Sequence, residues 1–179
     1  MGELTLEKLD VVRRATKIVE ERLSGMGMSR WFTAAWEYEV SPSEDLARAV
    51  NGLSKLNTYL FRVRATGVKG DSRAYSNVVL ISSELGSWSS VYELFRYLGT
   101  VPSVTHVVYE LASRGVGRYF VSIRAVLTED FMTADVARLP REVLMDIARE
   151  IMGNDDRVVV GYDVTPKPPL SMKRFNESA

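Results

Sequence analysis

This chain largely lacks two of the residue types that serve as nucleophiles, general bases or metal ligands. It has no cysteine and a single histidine, His106, among 179 residues. These counts exclude disulfides, cysteine-ligated zinc, thiol nucleophiles and multi-histidine metal sites within this sequence. His106 lies between Thr105 and Val107 with no candidate nucleophile beside it, so we predict a structural histidine and not a catalytic base. Neither a metal site nor a cofactor is predicted.

A basic segment near the C-terminus is the clearest candidate for binding. Lys167 stands between Pro166 and Pro168, and Lys173 and Arg174 follow it. Because proline stiffens the backbone, this lysine is a cation held on an extended segment at a low cost in conformational entropy. Such a cluster suits a phosphate-bearing ligand. On spacing alone, a solvated lysine in a proline-rich tail is the more ordinary interpretation.

The charge balance narrows the range of partners. The chain has 23 basic and 23 acidic residues and a formal net charge of zero, whereas a general nucleic-acid binder shows a strong basic excess. No apolar run approaches the roughly 18 residues of a membrane span, and the start Met1-Gly2-Glu3 is not that of a signal peptide. We therefore predict a cytoplasmic protein that binds neither nucleic acid nor membrane.

The positions of these residues depend on the helices and strands around them. Apolar periodicity predicts helices over 5–24, 88–98 and 140–152, and Ser41 followed by Pro42 predicts the start of a further short helix. The predicted strands are 31–40, 59–66, 74–82, 104–111, 119–128 and 157–164. The apolar stripe of the first helix comprises Leu6, Leu9, Val12, Ala15, Val19 and Leu23. The residues predicted to be buried are Leu9, Val91, Leu94, Ile123, Leu144, Ile147 and Val159.

An internal repeat indicates how the elements are arranged. The segment 107–111 reads V-V-Y-E-L and the segment 160–164 reads V-G-Y-D-V, which places Tyr109 and Tyr162 53 positions apart. The predicted fold class is α+β, a two-layer sandwich of two tandem related α/β units (strand-strand-helix-strand) plus an N-terminal helix. The predicted divisions are 1–58 (N-terminal helix, strand and short helix), 59–115 (first unit), 116–170 (second unit) and 171–179 (tail).

Three segments are more specific than these patterns. They read G-V-K-G-D-S-R-A-Y at 67–75, I-R-A-V at 123–126 followed by D-F-M-T-A-D at 130–135, and Y-D-V-T-P-K-P-P at 162–169. Their content and order resemble the C-terminal dimerisation domain of GMP synthase, and the opening helix at 6–15 also looks like the start of that domain. The resemblance covers nearly the whole chain. The sequence is more similar to the longer eukaryotic form of the family, which holds the domain twice.

The resemblance implies a function. Enzymes of this family aminate XMP to GMP: a glutaminase domain releases ammonia, an ATP-pyrophosphatase domain adenylylates XMP, and the dimerisation domain pairs subunits and completes the XMP site. This sequence holds neither the glutaminase Cys-His pair nor the S-G-G-V-D-S motif, so it has no complete active site of its own. The resemblance implies a stand-alone homodimer that partners an ATP-pyrophosphatase subunit, with XMP as ligand, in GMP biosynthesis.

Four residues carry over from the family to this chain. Lys167 matches the lysine that contacts the XMP phosphate, and Ser171 can replace a threonine hydroxyl of the family's closing segment. Asp71 and Arg73 match the family's G-D-x-R turn, which we interpret as a structural turn or interface because aspartate in such turns caps its own backbone. No catalytic residue is predicted.

The chain also departs from the family's pattern. Lys173 stands where the family has a glutamate, Val159 where it has an arginine and Phe32 where it has a glutamine. These differences support an alternative, a diverged non-catalytic scaffold or binding protein that keeps the fold and has lost XMP.

Overall fold

In the computed structural model, the described residues form three helices and eight strands with defined bounds. The described residues are 5–26, 30–50, 57–69, 72–82, 87, 89–90, 94, 97–98, 101–115, 117–127 and 135–165. The helices are α1 (Leu6–Ser24), α2 (Glu44–Val50) and α3 (Arg141–Met152). The strands are β1 (Trp31–Glu37), β2 (Val40–Pro42), β3 (Thr58–Lys69), β4 (Ser72–Ile81), β5 (Val104–Ala112), β6 (Tyr119–Leu127), β7 (Asp135–Val136) and β8 (Val158–Asp163).

One mixed sheet organises the molecule, in the order β1-β6-β8-β5-β4-β3-β2, with β7 paired to β6. The pairs β4–β5 and β6–β8 are parallel, and the two pairs meet where β5 and β8 run antiparallel. Tyr109 lies directly opposite Tyr162 in that central pairing, so the two tyrosines of the repeat are neighbours. The predicted α+β fold is confirmed, while the divisions at 59, 116 and 171 stay predictions.

Helices cover one face of this sheet. The buried side chains of α1 and α3 pack with alternate residues of the central strands in one apolar cluster. The helix predicted at 88–98 lies only partly within the described residues; of these, 89–90, 94 and 97–98 are helical, and Leu94 and Leu98 are buried. Burial is confirmed for Leu94, Ile123, Leu144, Ile147 and Val159. Val91 lies outside the described residues.

The buried face of α1 is rotated from the predicted stripe. Leu6 is 83% exposed and Leu9 is only half-buried, so their predicted places in the core are wrong. The buried residues are Lys8, Val11, Ala15, Val19 and Leu23. Lys8 takes a core position because its ammonium group pairs with Glu37 of β1 while its alkyl stem covers apolar surface.

The start of α2 also differs from the prediction. Ser41 and Pro42 pair with Leu60 and Tyr59 of β3, which keeps them extended as part of β2. The cap is Ser43 instead, whose hydroxyl accepts the backbone N–H of Leu46 at 3.4 Å. Proline is tolerated in β2 because β2 is an edge strand, where one side of the backbone needs no partner.

The other face of the sheet, called here the open face, carries a second apolar cluster. Its buried members are Trp36, Phe61, Val78, Leu80, Val108, Phe120 and Val159. Gly161 makes room for it, since a Cβ there would lie 2.4 Å from the ring of Phe120. None of the described helices is long and apolar enough to cross a membrane.

Candidate functional site: the anchored end of β8

A largely buried ion network lies where β8 ends and the C-terminal segment begins. Asp163, the last residue of β8, is 7% exposed. His106 of β5 donates a hydrogen bond from Nδ1 to its Oδ2 at 3.0 Å. Arg124 of β6 places Nη1 3.7 Å from the same oxygen. Three neighbouring strands of the open face therefore contribute one charged side chain each.

The backbone beyond Asp163 is held against β5. The N–H of Val164 donates to the carbonyl of Val107 at 3.0 Å, and the N–H of Thr165 donates to Asp163 Oδ1 at 2.9 Å. The Thr165 hydroxyl in turn accepts the N–H of Val107 at 2.9 Å. Buried backbone groups are thus satisfied on both chain segments, and residues 163–165 have a defined position although β8 has already ended.

The same stretch of β5 holds the base of the β3–β4 hairpin. His106 donates from Nε2 to the carbonyl of Thr66 at 3.1 Å. The Thr105 hydroxyl contacts the carbonyls of Ala65 and Asn77 at 3.1 and 3.2 Å. Gly67 packs so closely on Thr105 that a Cβ at this glycine would lie 2.8 Å from the threonine Cβ. β5 therefore joins the hairpin that contains Arg73 to the segment that leads to Lys167.

The hydrogen-bond partners of His106 define its protonation state. Both are oxygen acceptors, a carboxylate and a carbonyl, so both ring nitrogens must carry a proton. Burial lowers the pKa of His106, but the hydrogen bond to Asp163 and the charge of that carboxylate outweigh it, and the pKa lies above its ordinary value. The contacts and the raised pKa of His106 therefore favour its protonated form.

Asp163 is ionised for the complementary reason. Burial raises the pKa of its carboxyl, but the hydrogen bond from His106 and the positive charges of His106 and Arg124 outweigh burial and hold the pKa below its ordinary range. The Nε of Arg124 is buried without a hydrogen-bond partner in the described part of the chain. One carboxylate therefore compensates two cations.

The second and third quoted segments also meet in the structure. Residues 123–126 lie in β6, and β7 pairs with the end of that strand. The hydroxyl of Tyr162 donates to the carbonyl of Ala137 at 2.8 Å, which ties the chain after β7 to β8 from the helical face. The described parts of these segments therefore pack together in the apolar cluster on the helical face.

Of the four residues predicted from the sequence as a site or turn, the structure describes only Arg73. Arg73 is exposed on β4, near the tip of the β3–β4 hairpin. Lys167, Ser171 and Asp71 lie outside the described residues, and their roles stay predictions. Of the positions that depart from the family, Val159 is buried in β8 and Phe32 is 61% exposed on β1.

The contacts that join His106, Asp163 and Arg124 were not predicted from the sequence. The available signal was three ionisable residues inside otherwise apolar strands, which at such positions need partners. Their pairing depends on the order and register of β5, β8 and β6, which no local pattern specifies. Within the described residues this site holds an ion network and an anchored chain segment.

Comparison with known proteins supports the resemblance found in the sequence. Residues 114–173 match the family model described as the GMP synthase C terminal domain. The chain is 42% identical over 176 residues to a subunit of the glutamine-hydrolyzing GMP synthase of Saccharolobus islandicus, and the match covers 97% of this chain and 44% of that protein. The corresponding GMP synthase subunit of Sulfurisphaera tokodaii is 37% identical over 175 residues, with 97% and 45% covered.

A bacterial relative matches the same region. The glutamine-hydrolyzing GMP synthase of Streptococcus mutans is 28% identical over 174 residues, which is 97% of this chain and 22% of that protein. The chain thus spans less than half the length of these relatives. The resemblance to the GMP synthase C-terminal domain is confirmed to this extent: residues 114–173 match its family model, and 97% of the chain is similar to these GMP synthase proteins.

Proposed function

We propose that the chain is the dimerisation-type module of a GMP synthase. It pairs subunits and contributes to the XMP phosphate site of an ATP-pyrophosphatase subunit in GMP biosynthesis. The observation that carries this proposal is similarity along 97% of the chain to proteins named as subunits of glutamine-hydrolyzing GMP synthase. In this role the chain needs no catalytic group of its own.

The anchored end of β8 supports a binding role for Lys167. This lysine is two residues beyond Thr165, which is buried and hydrogen-bonded to β5. Two residues of chain span at most about 7 Å, so we propose that the phosphate is bound near this end of β8. In the proposal the Lys167 ammonium group contacts the XMP phosphate, and the Ser171 hydroxyl donates a further hydrogen bond.

The substitution Lys167→Ala tests this role. In a complex reconstituted with an ATP-pyrophosphatase chain that lacks its own C-terminal domain, we expect XMP binding to weaken about tenfold or more. The reason is that a charge-assisted hydrogen bond contributes roughly 1.5–3 kcal/mol. XMP titration calorimetry and the rate of GMP formation measure the effect.

Lys17→Ala is the matched control for this substitution. Lys17 is an exposed lysine on α1 whose ammonium group lies 3.9 Å from Glu21, and its removal should leave XMP binding unchanged. If Lys167→Ala changes neither XMP binding nor GMP formation while the two chains still associate, the phosphate role is wrong. The alternative of a scaffold that has lost XMP then stands.

Self-association is a separate expectation of the same proposal. The chain has zero net charge, so two copies do not repel each other strongly. Light scattering should therefore give a mass that rises with concentration toward twice that of the monomer. A monomer mass that stays constant up to high micromolar concentration would contradict the pairing role.

A further inference from the structure

We infer that His106 is a positioning residue for the C-terminal segment. As an imidazolium it joins the Thr66 carbonyl of β3 to the Asp163 carboxylate at the end of β8, and so fixes residues 163–165, which precede Lys167 in the sequence. This inference rests on the proposed function for its consequence in XMP binding. Its structural part, the state of His106 and its hold on residues 163–165, is tested independently.

The first step of the argument is that His106 bridges two elements only when it is doubly protonated. A neutral imidazole has one donor, so it would turn a lone pair toward either Asp163 or Thr66. The charged groups that face the ring are Asp163 from β8 and Arg124 from β6. β3 contributes the Thr66 carbonyl, and the partner residue on β4 is the apolar Val78.

The second step is that one carboxylate serves both His106 and the outgoing chain. Oδ2 of Asp163 accepts the histidine proton, whereas Oδ1 accepts the N–H of Thr165. Any rotation of the carboxylate that follows loss of the histidine bond therefore also weakens the bond to Thr165. The tail root, defined here as residues 163–165, should loosen when His106 loses its proton.

The direction of the pH dependence follows from the two pKa shifts. The pKa of His106 is raised, so its contribution is complete below the ordinary histidine value of about 6.5 and is lost as pH rises through the higher folded value. The pKa of Asp163 is lowered, so its contribution is complete above the ordinary aspartate value and is lost as pH falls through the lower folded value. The hydrogen bonds that hold the tail root are therefore most stable in mildly acidic to neutral solution.

Nuclear magnetic resonance on the full chain tests the state of His106 directly, because the chain has no other histidine. We expect both ring nitrogens to carry protons at neutral pH, with a pKa above the ordinary value. Asp163→Asn should lower that pKa, whereas Asp156→Asn, at an exposed position, should not. A neutral ring at about pH 6, or a pKa that Asp163→Asn leaves unchanged, would overturn the inference.

Amide hydrogen exchange tests the hold on the tail root. In His106→Gln, the N–H groups of Val164 and Thr165 should exchange about tenfold faster than in the wild type, while that of Ile147 in α3 should change little. Wild-type protein should show the same local increase as pH rises through the His106 pKa, after correction for intrinsic exchange. Equal acceleration at all three amides would show general destabilisation and refute a positioning role.

The reconstituted complex separates this inference from the proposed function. His106→Gln should raise the KM for XMP several-fold with little change in kcat, and should add nothing in a Lys167→Ala background. An equal increase in both backgrounds would refute positioning of Lys167 by His106. If Lys167→Ala itself has no effect, the proposed phosphate role fails, and the resonance and exchange results still decide the structural part.

Discussion

Replacing Asp163 with alanine should lower the free energy of unfolding by about 3–5 kcal/mol at about pH 6. The carboxylate compensates both His106 and Arg124, and its removal leaves two cations in a mostly buried setting without an anion. The N–H of Thr165 also loses its acceptor. Urea unfolding at fixed protein concentration, followed by tryptophan fluorescence, measures the change.

Asp156→Ala is the control for this substitution. Asp156 is exposed in the turn before β8, so its loss should change the free energy of unfolding by no more than about 0.5 kcal/mol. The cost of Asp163→Ala should shrink at about pH 9, where His106 is neutral in the variant and needs no counter-charge. Equal costs for the two substitutions, or a cost independent of pH, would show that the network does not stabilise the fold.

Much of the secondary structure could be predicted because its signals are local. In α3, the spacing of Leu144, Ile147 and Ile151 between Pro140 and Gly153 favours a single amphipathic helix, and the structure has it at Arg141–Met152. The β-branched run at 104–111 similarly indicates a strand. The repeat around Tyr109 and Tyr162 even anticipated two equivalent strands, although not that they pair with each other.

The errors arise where a distant partner decides the outcome. Lys8 replaces Leu9 in the core because Glu37 of β1 lies beside it, and this depends on how α1 packs on the sheet. Ser41 cannot cap α2 because β3 recruits it into β2. In both cases the predicted residue satisfies the local rule, and a tertiary contact overrides it.

The candidate site also has a part that could be predicted from the sequence and a part that depends on tertiary contacts. Arg124 and Asp163 lie in segments that carry the resemblance to the family, so both segments could be singled out from the sequence. Their common site with His106 follows from the order β6-β8-β5, which brings residues 57 positions apart into hydrogen-bond contact. A binding role for Lys167 could be proposed from the sequence. The residues that contact the tail root could be identified only from the order and register of the strands.

The open face depends on Phe120, which is fully buried there although helices cover only the opposite face. Its ring centroid lies 4.8 Å from that of Phe61 and 5.2 Å from that of Trp36. Gly161 of β8 allows the ring to approach the backbone of the neighbouring strand. Because the two aromatic neighbours come from β3 and β1, Phe120 joins strands on both sides of the central pair.

Phe120→Ala should therefore cost about 3–5 kcal/mol in the free energy of unfolding, since it removes a fully buried ring and leaves a cavity that strands cannot readily close. Phe32→Ala is the matched control, at a phenylalanine on the same face that is 61% exposed, and should cost about 0.5 kcal/mol or less at low protein concentration. Thermal and urea unfolding of both variants measure the difference. Similar costs for the two rings would mean that the open-face cluster is not a core, and that helical packing alone stabilises the sheet.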